Sequence, residues 1–429
     1  MCPAPKVSAV RGFRDVLPDE SHVWRRVEQC AEEIFTDYGF APVSLPVLER
    51  VDLFARSLGD TSDVVEKEMF AFEDRDGTTV ALRPEATAST VRAYLEGGPG
   101  AQAGRARYWY AGPMFRRERP QRGRYRQFQQ IGAEIFGEAG PMADAELVLM
   151  LADYLAAIGV RDTRLLLGTV GDGRCRPAYR DVLRAYAAAR REALCANCRQ
   201  RLERNPLRLL DCKEEACRAE MAGAPLLSDH LCGECAEHFV AVRRLLDGEG
   251  VAYEFTPRLV RGLDYYSRTA FEVLASGLGA QNAVGGGGRY DGLVEALGGP
   301  SVPALGFALG VDRLAMVLEA PEGVSSEGTA VLPLNEAAAG PALSLATRLR
   351  RGGHRVLLEP PGRSVKAMLR AADRQGARLA VLLGDDELAG GTLTIRDLRQ
   401  RRDHPGVLPV DVTATRFAEW MRAQNEGGA

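Results

Sequence analysis

The segment from residue 116 to residue 126 concentrates arginine: six of its eleven residues are arginines, and its one acidic residue is Glu118. The guanidinium fork can bind phosphate oxygens through two parallel hydrogen bonds and does not lose its charge, which suits a polyphosphate ligand. The alternative is a solvated basic loop, because only four of the 55 basic residues are lysines and arginine is common throughout the chain. The segment alone leaves both interpretations open.

A second segment, Gly285 to Arg289, reads GGGGR and could also be a phosphate cradle. It lacks the GxxxxGK[ST] and GxGxxG patterns, so it is a weak indication by itself. Phosphoryl chemistry depends mainly on positioning and charge, which metal ions and arginines supply. The five histidines lie outside both segments, which argues against a hydrolytic triad. The two segments together are consistent with phosphoryl chemistry in an arginine-rich pocket.

Seven of the nine cysteines lie between Cys175 and Cys235, and four of them form two CxxC pairs. Four thiolates suit a tetrahedral zinc ion, so we predict one structural Zn²⁺ held by both pairs. The predicted ligands are Cys195, Cys198, Cys232 and Cys235. Against this, 33 residues separate the pairs, whereas zinc ribbons usually have roughly 15 to 20. Cys212 and Cys217 could replace either pair, or all could be free buried thiols.

Composition and charge bound the remaining possibilities. The 429 residues predict two or three domains of an ordinary globular protein. A net charge of -3 excludes a globally basic nucleic-acid coat, so nucleic acid would have to meet a local patch. No run approaches the roughly 18 apolar residues of a membrane helix, and the N-terminus shows no secretion signal. We therefore expect a cytoplasmic protein with no membrane association, in which cysteines are not paired as disulfides.

The arginine-rich segment joins two extended stretches, YWYAGPMFR and QFQQIGAEIFG, which we predict to be an antiparallel hairpin with a long tip. Alternation in the second strand places Phe128, Gln130, Gly132 and Glu134 on one face and apolar residues mainly on the other. A polar face with a glycine, where a ligand can approach closely, is typical of a binding floor. A solvent-exposed outer face is the alternative.

Elsewhere, an apolar stripe predicts a helix from His22 to Phe35, followed by an extended segment. The cysteine-rich stretch is predicted to be a mostly helical insertion. A break near residues 321 to 328 precedes a βαβαβ pattern, which indicates a separate α/β domain. The predicted parts are therefore a core at residues 1–171 and 256–322, an insertion at 172–255, and a C-terminal domain at 328–429.

Several of these blocks resemble class II aminoacyl-tRNA synthetases. FRRERPQRGRYRQFQQIGAEIFG is similar to motif 2 of that class, LGFALGVDRL to motif 3, and the helix and strand ending at Pro46 to motif 1. RGLDYYSRTAFE (Arg261 to Glu272) and VGGGGRYDGL (Val284 to Leu293) resemble the signature blocks of the histidyl-tRNA synthetase family, and LRPEATAS resembles another of its blocks. The region after residue 328 resembles its anticodon-binding domain, so the resemblance covers essentially the whole chain.

The resemblance implies an α+β fold, in which helices flank an antiparallel sheet and motif 1 builds a homodimer. It implies activation of L-histidine with ATP to histidyl-adenylate and pyrophosphate, then transfer of histidine to the 3′ end of tRNA(His). It also implies Mg²⁺ with the ATP. The family's α-amino contacts map to Glu85, Thr87 and Gln130, and its imidazole contacts to Glu134 and Tyr266. The implied histidine pocket further includes Ala86, Arg116, Arg261, Tyr265 and Tyr290.

For ATP, the resemblance implies that Arg116 meets the substrate carboxylate and the α-phosphate and that Glu118 reads the adenine amino group. Phe128 and Arg313 would enclose the adenine, and Arg124 would reach the terminal phosphates. Arg261 corresponds to a fixed catalytic cation at the α-phosphate. Ala86 departs from the glycine or methionine of many relatives, which changes the shape of that turn without removing a functional group.

Two other functions compete with this one. One is that of a non-synthetase paralogue of the family, which regulates the first enzyme of histidine biosynthesis. That paralogue usually lacks the anticodon-binding domain and the catalytic arginine block. This chain has segments that resemble both. A general RNA-binding protein would leave the amino-acid pocket unexplained.

Overall fold

The structure, a computed structural model, describes residues 7–58, 64–97, 104–259, 265–279, 282–318 and 328–426. The chain divides into two compact units, Met1–Ala320 and Pro321–Ala429. Within the described ranges, no helix combines the length with the apolar character that a membrane crossing requires.

The first unit contains ten α-helices within these ranges, together with short π- and 3₁₀-helical turns. The helices are α1 (Pro18–Asp37), α2 (Val51–Leu58), α3 (Thr87–Leu95), α4 (Pro141–Ile158), α5 (Cys175–Ala188), α6 (Ala196–Arg204), α7 (Glu215–Met221), α8 (Gly233–Gly248), α9 (Leu293–Ala296) and α10 (Val311–Val317). The short turns are Val64–Glu68, Arg191–Ala193, Pro206–Asp211 and Leu227–His230.

Helix α1 confirms the apolar stripe of the sequence. It contains the predicted segment and extends it at both ends, beginning at Pro18, where a proline suits the first turn. Val27, Ala31 and Phe35 are fully buried in the main core. The chain then turns through Gly39, whose positive φ of 81° suits glycine.

The strands of the first unit form two sheets in the described part of the chain. They are β1 (Ala41–Pro42), β2 (Leu48–Arg50), β3 (Phe70–Glu73), β4 (Thr79–Leu82), β5 (Ala106–Phe115), β6 (Gln127–Phe136), β7 (Thr163–Thr169), β8 (Glu254–Phe255), β9 (Ser267–Ala275), β10 (Ala283–Arg289) and β11 (Ala304–Gly310). Eight strands pair in the order β1-β5-β6-β11-β10-β9-β7-β8, and β2-β4-β3 form a smaller antiparallel sheet. The large sheet is antiparallel except at its two short edge strands, as the α+β prediction requires.

Strands β5 and β6 are the predicted hairpin, and β6 divides the core from the site. Ile131, Ala133 and Ile135 are fully buried against the helices that cover one face of the sheet. On its other edge β6 pairs with β11, and this pairing sets Glu134 opposite Gly306. This pairing joins the hairpin to strands that follow the insertion in the sequence.

Helices α5, α6 and α7 build the cysteine-rich insertion around a small core of its own, which includes Tyr179, Leu183, Leu202 and Met221. The chain leaves the large sheet after β7 and returns to it at β8, at the end of helix α8. The insertion therefore lies between two segments of the chain that both contribute strands to the large sheet.

The C-terminal unit has a five-stranded sheet in the order β13-β12-β14-β15-β16 among its described residues. Strands β12 (Gly328–Pro333), β13 (Val356–Leu358) and β14 (Ala377–Leu383) run parallel, as the βαβαβ pattern predicts. Antiparallel strands β15 (Thr392–Asp397) and β16 (Arg402–Pro409) follow. The helices of this unit are α11 (Ala339–Arg351), α12 (Val365–Arg374), α13 (Asp385–Gly390) and α14 (Ala414–Glu426), with a 3₁₀ turn at Glu336–Ala338.

Candidate active site

A cavity of about 370 Å³ lies on the face of the large sheet that carries the polar side of β6. Its walls come from strands β6, β10 and β11, the start of α3, the loop between β5 and β6, and the start of α10. Most of the predicted site residues line it: Glu85, Thr87, Arg116, Glu118, Arg124, Phe128, Gln130, Tyr265, Tyr266, Tyr290 and Arg313. Residues from five distant parts of the sequence are thus brought together.

Glu134 is not itself a lining residue of this cavity, but its carboxyl group bonds to three side chains that are: Thr87, Tyr110 and Tyr290. We call the part of the cavity beside them its inner end. The Glu134 side chain is fully buried, and one carboxyl oxygen accepts a hydrogen bond of 2.8 Å from the Thr87 hydroxyl and one of 3.4 Å from the Tyr110 hydroxyl. The other oxygen accepts a short hydrogen bond from the Tyr290 hydroxyl. Three hydroxyl donors therefore fix the orientation of a single carboxyl group.

Two glycines make room for this arrangement. A Cβ atom at Gly306, directly across from Glu134, would overlap with its carboxyl group. A Cβ atom at Gly132 would likewise overlap with the Tyr110 hydroxyl. The glycine that the strand alternation placed on the ligand face is needed because side chains of the site lie directly over the backbone.

Burial raises the pKa of the Glu134 carboxyl to about 8, although the hydrogen bonds from Tyr290 and Thr87 act in the opposite direction. Burial also raises the pKa of Tyr290 well above its usual value, and the neighbouring Glu134 adds to this effect. At neutral pH the inner end of the cavity is therefore mostly uncharged before a ligand enters. A protonated carboxyl can both donate and accept a hydrogen bond.

The turn before helix α3 supplies the next wall. Glu85 is buried, and its carboxylate accepts hydrogen bonds from the backbone N–H groups of Thr87 (2.7 Å) and Ala88 (3.0 Å). Ala86, also buried, packs with Tyr110 and Met114. The Thr87 hydroxyl donates to Glu134, so its side chain belongs to the site and does not cap helix α3.

Gln130 lies four residues before Glu134, on the same strand face. Its side-chain oxygen Oε1 is buried and has no hydrogen-bond partner among the described residues. A buried acceptor without a partner costs free energy, on the order of 1–3 kcal/mol. A ligand with an N–H donor, such as an ammonium group, would supply the missing bond.

Arginines and one glutamate form the outer end. Arg116 donates 2.8 Å from Nε to the carbonyl of Pro84, and its guanidinium lies 5.3 Å from the centre of the Phe128 ring. Arg124 donates to Glu118 at 3.1 Å. Arg313 donates to the carbonyls of Gly123 and Ala283. These bonds hold the three guanidinium groups at the cavity wall. A guanidinium has five N–H donors, so each arginine can bind a ligand through others.

The three predicted tyrosines form a group at the side of the cavity. The ring of Tyr265 lies 4.8 Å from that of Tyr266 and 5.6 Å from that of Tyr290, measured between centroids. Tyr266 and Tyr290 are buried. All three rings form part of the cavity wall, as the predicted role in the pocket requires.

Arg261, the predicted catalytic cation, lies outside the described residues. Sequence reasoning also missed three side chains at the cavity: Tyr110, Glu272 and Asp312. Tyr110 could have been found, because it pairs with Gly132 across the predicted hairpin. Asp312 accepts from the backbone N–H of Gln129 (3.0 Å) and from Arg14 (3.2 Å), links that no local pattern indicates.

The interpretation of GGGGR as a phosphate cradle is wrong for its arginine. Arg289 is fully buried and pairs with Asp144 and Asp291. The glycines form β10 in the interior of the sheet, where Cβ atoms at Gly285 and Gly287 would overlap with carbonyl oxygens of β11. The run serves close strand packing, although Gly285 and Gly286 also line the cavity.

The structure also corrects the predicted zinc ligands, because the two CxxC pairs do not meet. Cys195 and Cys198 lie with Cys212 and Cys217, whereas Cys232 and Cys235 lie with Asp172 and Cys175. Each pair stands at the start of a different helix, with Cys195 before α6 and Cys232 before α8. The long separation between the pairs reflects two clusters, each completed by residues from other elements.

Known proteins match this chain over nearly its full length. The family described as histidyl-tRNA synthetase matches residues 12–314, and the anticodon binding domain family matches residues 329–424. The histidine–tRNA ligase of Anaeromyxobacter dehalogenans is 50% identical over 94% of this chain and 98% of its own, and that of Halorhodospira halophila is 48% identical over 95% and 97%. The crystal structure of apo S. aureus histidyl-tRNA synthetase has a TM-score of 0.77 and 31% identity, covering 93% of this chain and 97% of its own.

Proposed function

The chain belongs to the histidyl-tRNA synthetase family, and we propose how its residues divide the reaction. It is a histidine–tRNA ligase that acts on ATP, L-histidine and tRNA. The inner end of the cavity selects histidine, the outer end holds ATP, and the C-terminal domain reads the tRNA. The functional parts are the core at 1–171 and 256–322, the insertion at 172–255, and the anticodon-binding domain at 328–429.

One observation carries the assignment of the pocket: a single face of β6 presents Glu134, Gln130 and Phe128 in succession. Glu134 bonds to side chains of the inner end, Gln130 has a buried acceptor without a partner, and Phe128 lies against Arg116 at the outer end. The imidazole ring of histidine reaches Glu134 and Tyr266. Its ammonium group then meets Gln130, Glu85 and Thr87, where Oε1 of Gln130 gains the hydrogen bond that it lacks.

At the outer end Arg116 holds the histidine carboxylate against the α-phosphate. The carboxylate oxygen attacks the α-phosphorus in line, the bond from that phosphorus to the bridging oxygen breaks, and pyrophosphate leaves. Arg261 is the fixed cation that stabilises the charge that develops on the transferring group. Phe128 and Arg313 enclose the adenine, Glu118 accepts from its amino group, and Arg124 binds the terminal phosphates.

A divalent metal accompanies ATP, and Mg²⁺ is the ion that we propose. Carboxylate oxygens are ligands that Mg²⁺ prefers. The side chain of Glu272, in the cavity wall near Arg313, offers a carboxylate to such an ion. Bound there, the ion would neutralise phosphate charge and orient the polyphosphate.

The second half-reaction passes histidine to the terminal adenosine of tRNA(His). The tip residues Arg119, Pro120 and Gln121 border a separate shallow pocket beside the site, and we assign them to the acceptor end. The C-terminal domain reads the anticodon, whose single-stranded bases are open to side-chain contacts. The regulatory paralogue and a general RNA-binding protein are excluded by the curated ligases that match both domains.

We further propose that the protein is a cytoplasmic homodimer. The small sheet carries apolar side chains that are exposed in the single chain, among them Leu48 at 42% and Phe72 at 50%. A two-fold contact that extends from motif 1, which ends at Pro46, onto this sheet would cover them. Sedimentation equilibrium of the full chain tests this, and a monomer at micromolar concentration contradicts it.

Histidine-dependent exchange of labelled pyrophosphate into ATP tests the first half-reaction. We expect exchange with histidine alone among the twenty amino acids and in the absence of tRNA. Exchange that does not depend on histidine would contradict the assignment of the inner end.

The division between domains predicts different losses in the two half-reactions. A chain that ends at residue 327 should retain most pyrophosphate exchange, because the cavity belongs to the first unit, and should lose most aminoacylation of tRNA. Circular dichroism and sedimentation confirm that the truncated chain is folded and assembled as the full chain is. Equal losses in both reactions from such a chain would contradict the division.

A further inference from the structure

The insertion contains two groups of metal-ligating side chains that the aminoacylation reaction does not use. We propose that the first, formed by Cys195, Cys198, Cys212 and Cys217, is a structural Zn²⁺ site. All four sulfur atoms lie within 4.8 Å of one another. Zinc with four thiolate ligands at about 2.3 Å places neighbouring sulfurs ~3.8 Å apart in a tetrahedron.

The sulfur distances fit a metal better than disulfides. Sγ of Cys195 lies 4.0 Å from Sγ of Cys212, close to the tetrahedral edge and far from the ~2.0 Å of a disulfide bond. All four residues are free thiols in this structure. A small movement of side chains would bring the four sulfurs to the distances that zinc requires.

The backbone around this group is arranged to accept negative charge on sulfur. The N–H of Cys195 donates to Sγ of Cys217 at 3.0 Å, and the N–H of Cys198 donates to Sγ of Cys195 at 3.4 Å. Cys195 is also the N-cap of helix α6, where the helix dipole favours an anion. Hydrogen bonds to charged sulfur stabilise thiolates, the form of cysteine that binds metal.

The metal would hold together three short pieces of chain that have little core of their own. Cys195 and Cys198 begin α6, Cys212 follows the 3₁₀ turn Pro206–Asp211, and Cys217 lies in the seven-residue helix α7. Cys198, Cys212 and Cys217 are buried among the apolar residues of the insertion. Helices this short are marginal alone, and zinc binding contributes directly to folding in such segments.

A separate set of contacts carries a second proposal: Asp172, Cys175, Cys232 and Cys235 hold another Zn²⁺. Their ligand atoms also lie within 4.8 Å of one another, and the N–H of Cys232 donates to Sγ of Cys175 at 3.1 Å. Thiolate sulfur and carboxylate oxygen are both zinc ligands, and these four side chains supply the number that a tetrahedral site needs. Arg174 and Arg268 lie 3.0 and 4.0 Å from the Asp172 carboxylate and would offset the negative charge of the complex.

The second group stands where the insertion leaves the large sheet and where it returns. Asp172 and Cys175 follow β7, and Cys232 and Cys235 begin α8, which leads back to β8. The backbone N–H of Val170 and the carbonyl of Gly171 bond to Arg268 in β9, two residues after Tyr266. An ion here would link both ends of the insertion to each other and, through these backbone bonds, to β9, the strand that begins directly after Tyr266.

Metal content of the full-length protein tests both sites. The chain is purified without chelators, and zinc and iron are measured by mass spectrometry. We expect two zinc ions per chain, with one lost in Cys198→Ser and Cys217→Ser and the other lost in Cys235→Ser. Cys30→Ser, which changes a half-buried cysteine of α1 outside the insertion, is the matched control and should keep both.

A second measurement applies if a variant fails to fold. Zinc is removed from the unaltered protein with a chelator, and Co²⁺ is added back; two equivalents should bind, with the thiolate-to-cobalt absorption and intense visible bands of tetrahedral sites. Metal-free protein with unchanged melting and fully alkylatable thiols would overturn both proposals. Zinc retained in Cys217→Ser overturns the first, zinc retained in Cys235→Ser overturns the second, and iron in place of zinc overturns the choice of metal.

Discussion

The two ends of the active-site cavity are built in opposite ways. At the inner end Glu134 is 0% exposed, and three hydroxyl groups hold it in one orientation. At the outer end the side chains of Glu118 and Arg124 are 21% and 36% exposed, and they bond mainly to each other.

This difference agrees with the roles that we propose for the two ends. A site that selects one amino acid gains from groups that cannot move, because an analogue then leaves a buried group unpaired. A site for a polyphosphate must stay open to solvent before binding, since concentrated positive charge without a counterion is costly to bury. The inner end is therefore preorganised, and the outer end exchanges internal ion pairs for contacts with the substrate.

The largest expected effect belongs to Arg261. Arg261→Ala should slow adenylate formation by about 10² or more, equivalent to about 3 kcal/mol, because a fixed cation acts on charge that develops in the transition state. ATP affinity should fall modestly, since Arg116, Arg124 and Arg313 remain. Transfer from preformed adenylate should suffer less. Rapid-quench measurement of both half-reactions separates these outcomes, and Arg122→Ala, in the exposed part of the loop, is the control. If Arg261→Ala forms the adenylate at the wild-type rate, the role of Arg261 is structural.

A smaller effect is expected for the inner end. Glu134→Ala should raise the histidine KM by about fivefold to a hundredfold, because it leaves a buried ring nitrogen of the ligand without its partner, which costs roughly 1–3 kcal/mol. It should also weaken rejection of analogues that lack ring nitrogens. Thr87→Ser keeps the hydroxyl donor and is the matched control. The measurement is pyrophosphate exchange at varied histidine, and an unchanged KM would mean that the imidazole binds elsewhere.

The outer end should tolerate change better. Glu118→Gln should alter the KM for ATP by about two- to fivefold, because a half-exposed ion pair contributes only about 0.2–1 kcal/mol and its loss also frees Arg124 for phosphate. The histidine KM should stay unchanged. If Glu118→Gln reduces ATP binding more than Glu134→Ala reduces histidine binding, the contrast between the two ends fails.

The last prediction concerns the pH dependence of stability. The folded-state pKa of Glu134 is about 8 and its ordinary value is 4.5, so between these values the folded chain binds a proton that the unfolded chain releases. Stability due to this group is therefore present below about pH 4.5 and is lost as pH rises through about 8. Glu134→Gln should lose less stability than the unaltered protein over this window in scanning calorimetry, whereas Glu254→Gln, at an exposed glutamate, should follow the unaltered protein. Parallel pH profiles for Glu134→Gln and the unaltered protein would contradict the raised pKa.

Local patterns predicted much of this architecture. The two-residue alternation of β6 correctly separated Gln130 and Glu134 from Ile131 and Ile135, because the face of a strand is set by its own backbone. The hairpin, helix α1 and the parallel strands of the C-terminal unit followed from periodicity in the same way. The roles of individual arginines came only from the resemblance to a family.

Long-range partners set the limit of such reasoning. Arg289 looked like part of a phosphate site, but its partner Asp144 lies far away in sequence, and no local pattern indicates that pair. The two CxxC pairs looked like one site because spacing counts residues along the chain and not distances in space. Tyr110 was overlooked although its register opposite Gly132 could have been derived.

The pairing of β6 with β11 has a consequence for the order in which the protein gains its function during synthesis. Glu134 and Gly306, which meet across this pairing, lie about 170 residues apart, and the loop between them contains the whole insertion. The hairpin of β5 and β6 can form early from local contacts, as can the meander of β9, β10 and β11, but closing so large a loop is slow. Until β11 has been synthesised, the nascent chain has only the β6 half of the proposed amino-acid pocket, and that half is exposed to solvent. Substrates can therefore stabilise only the last step of folding, in which β11 pairs with β6.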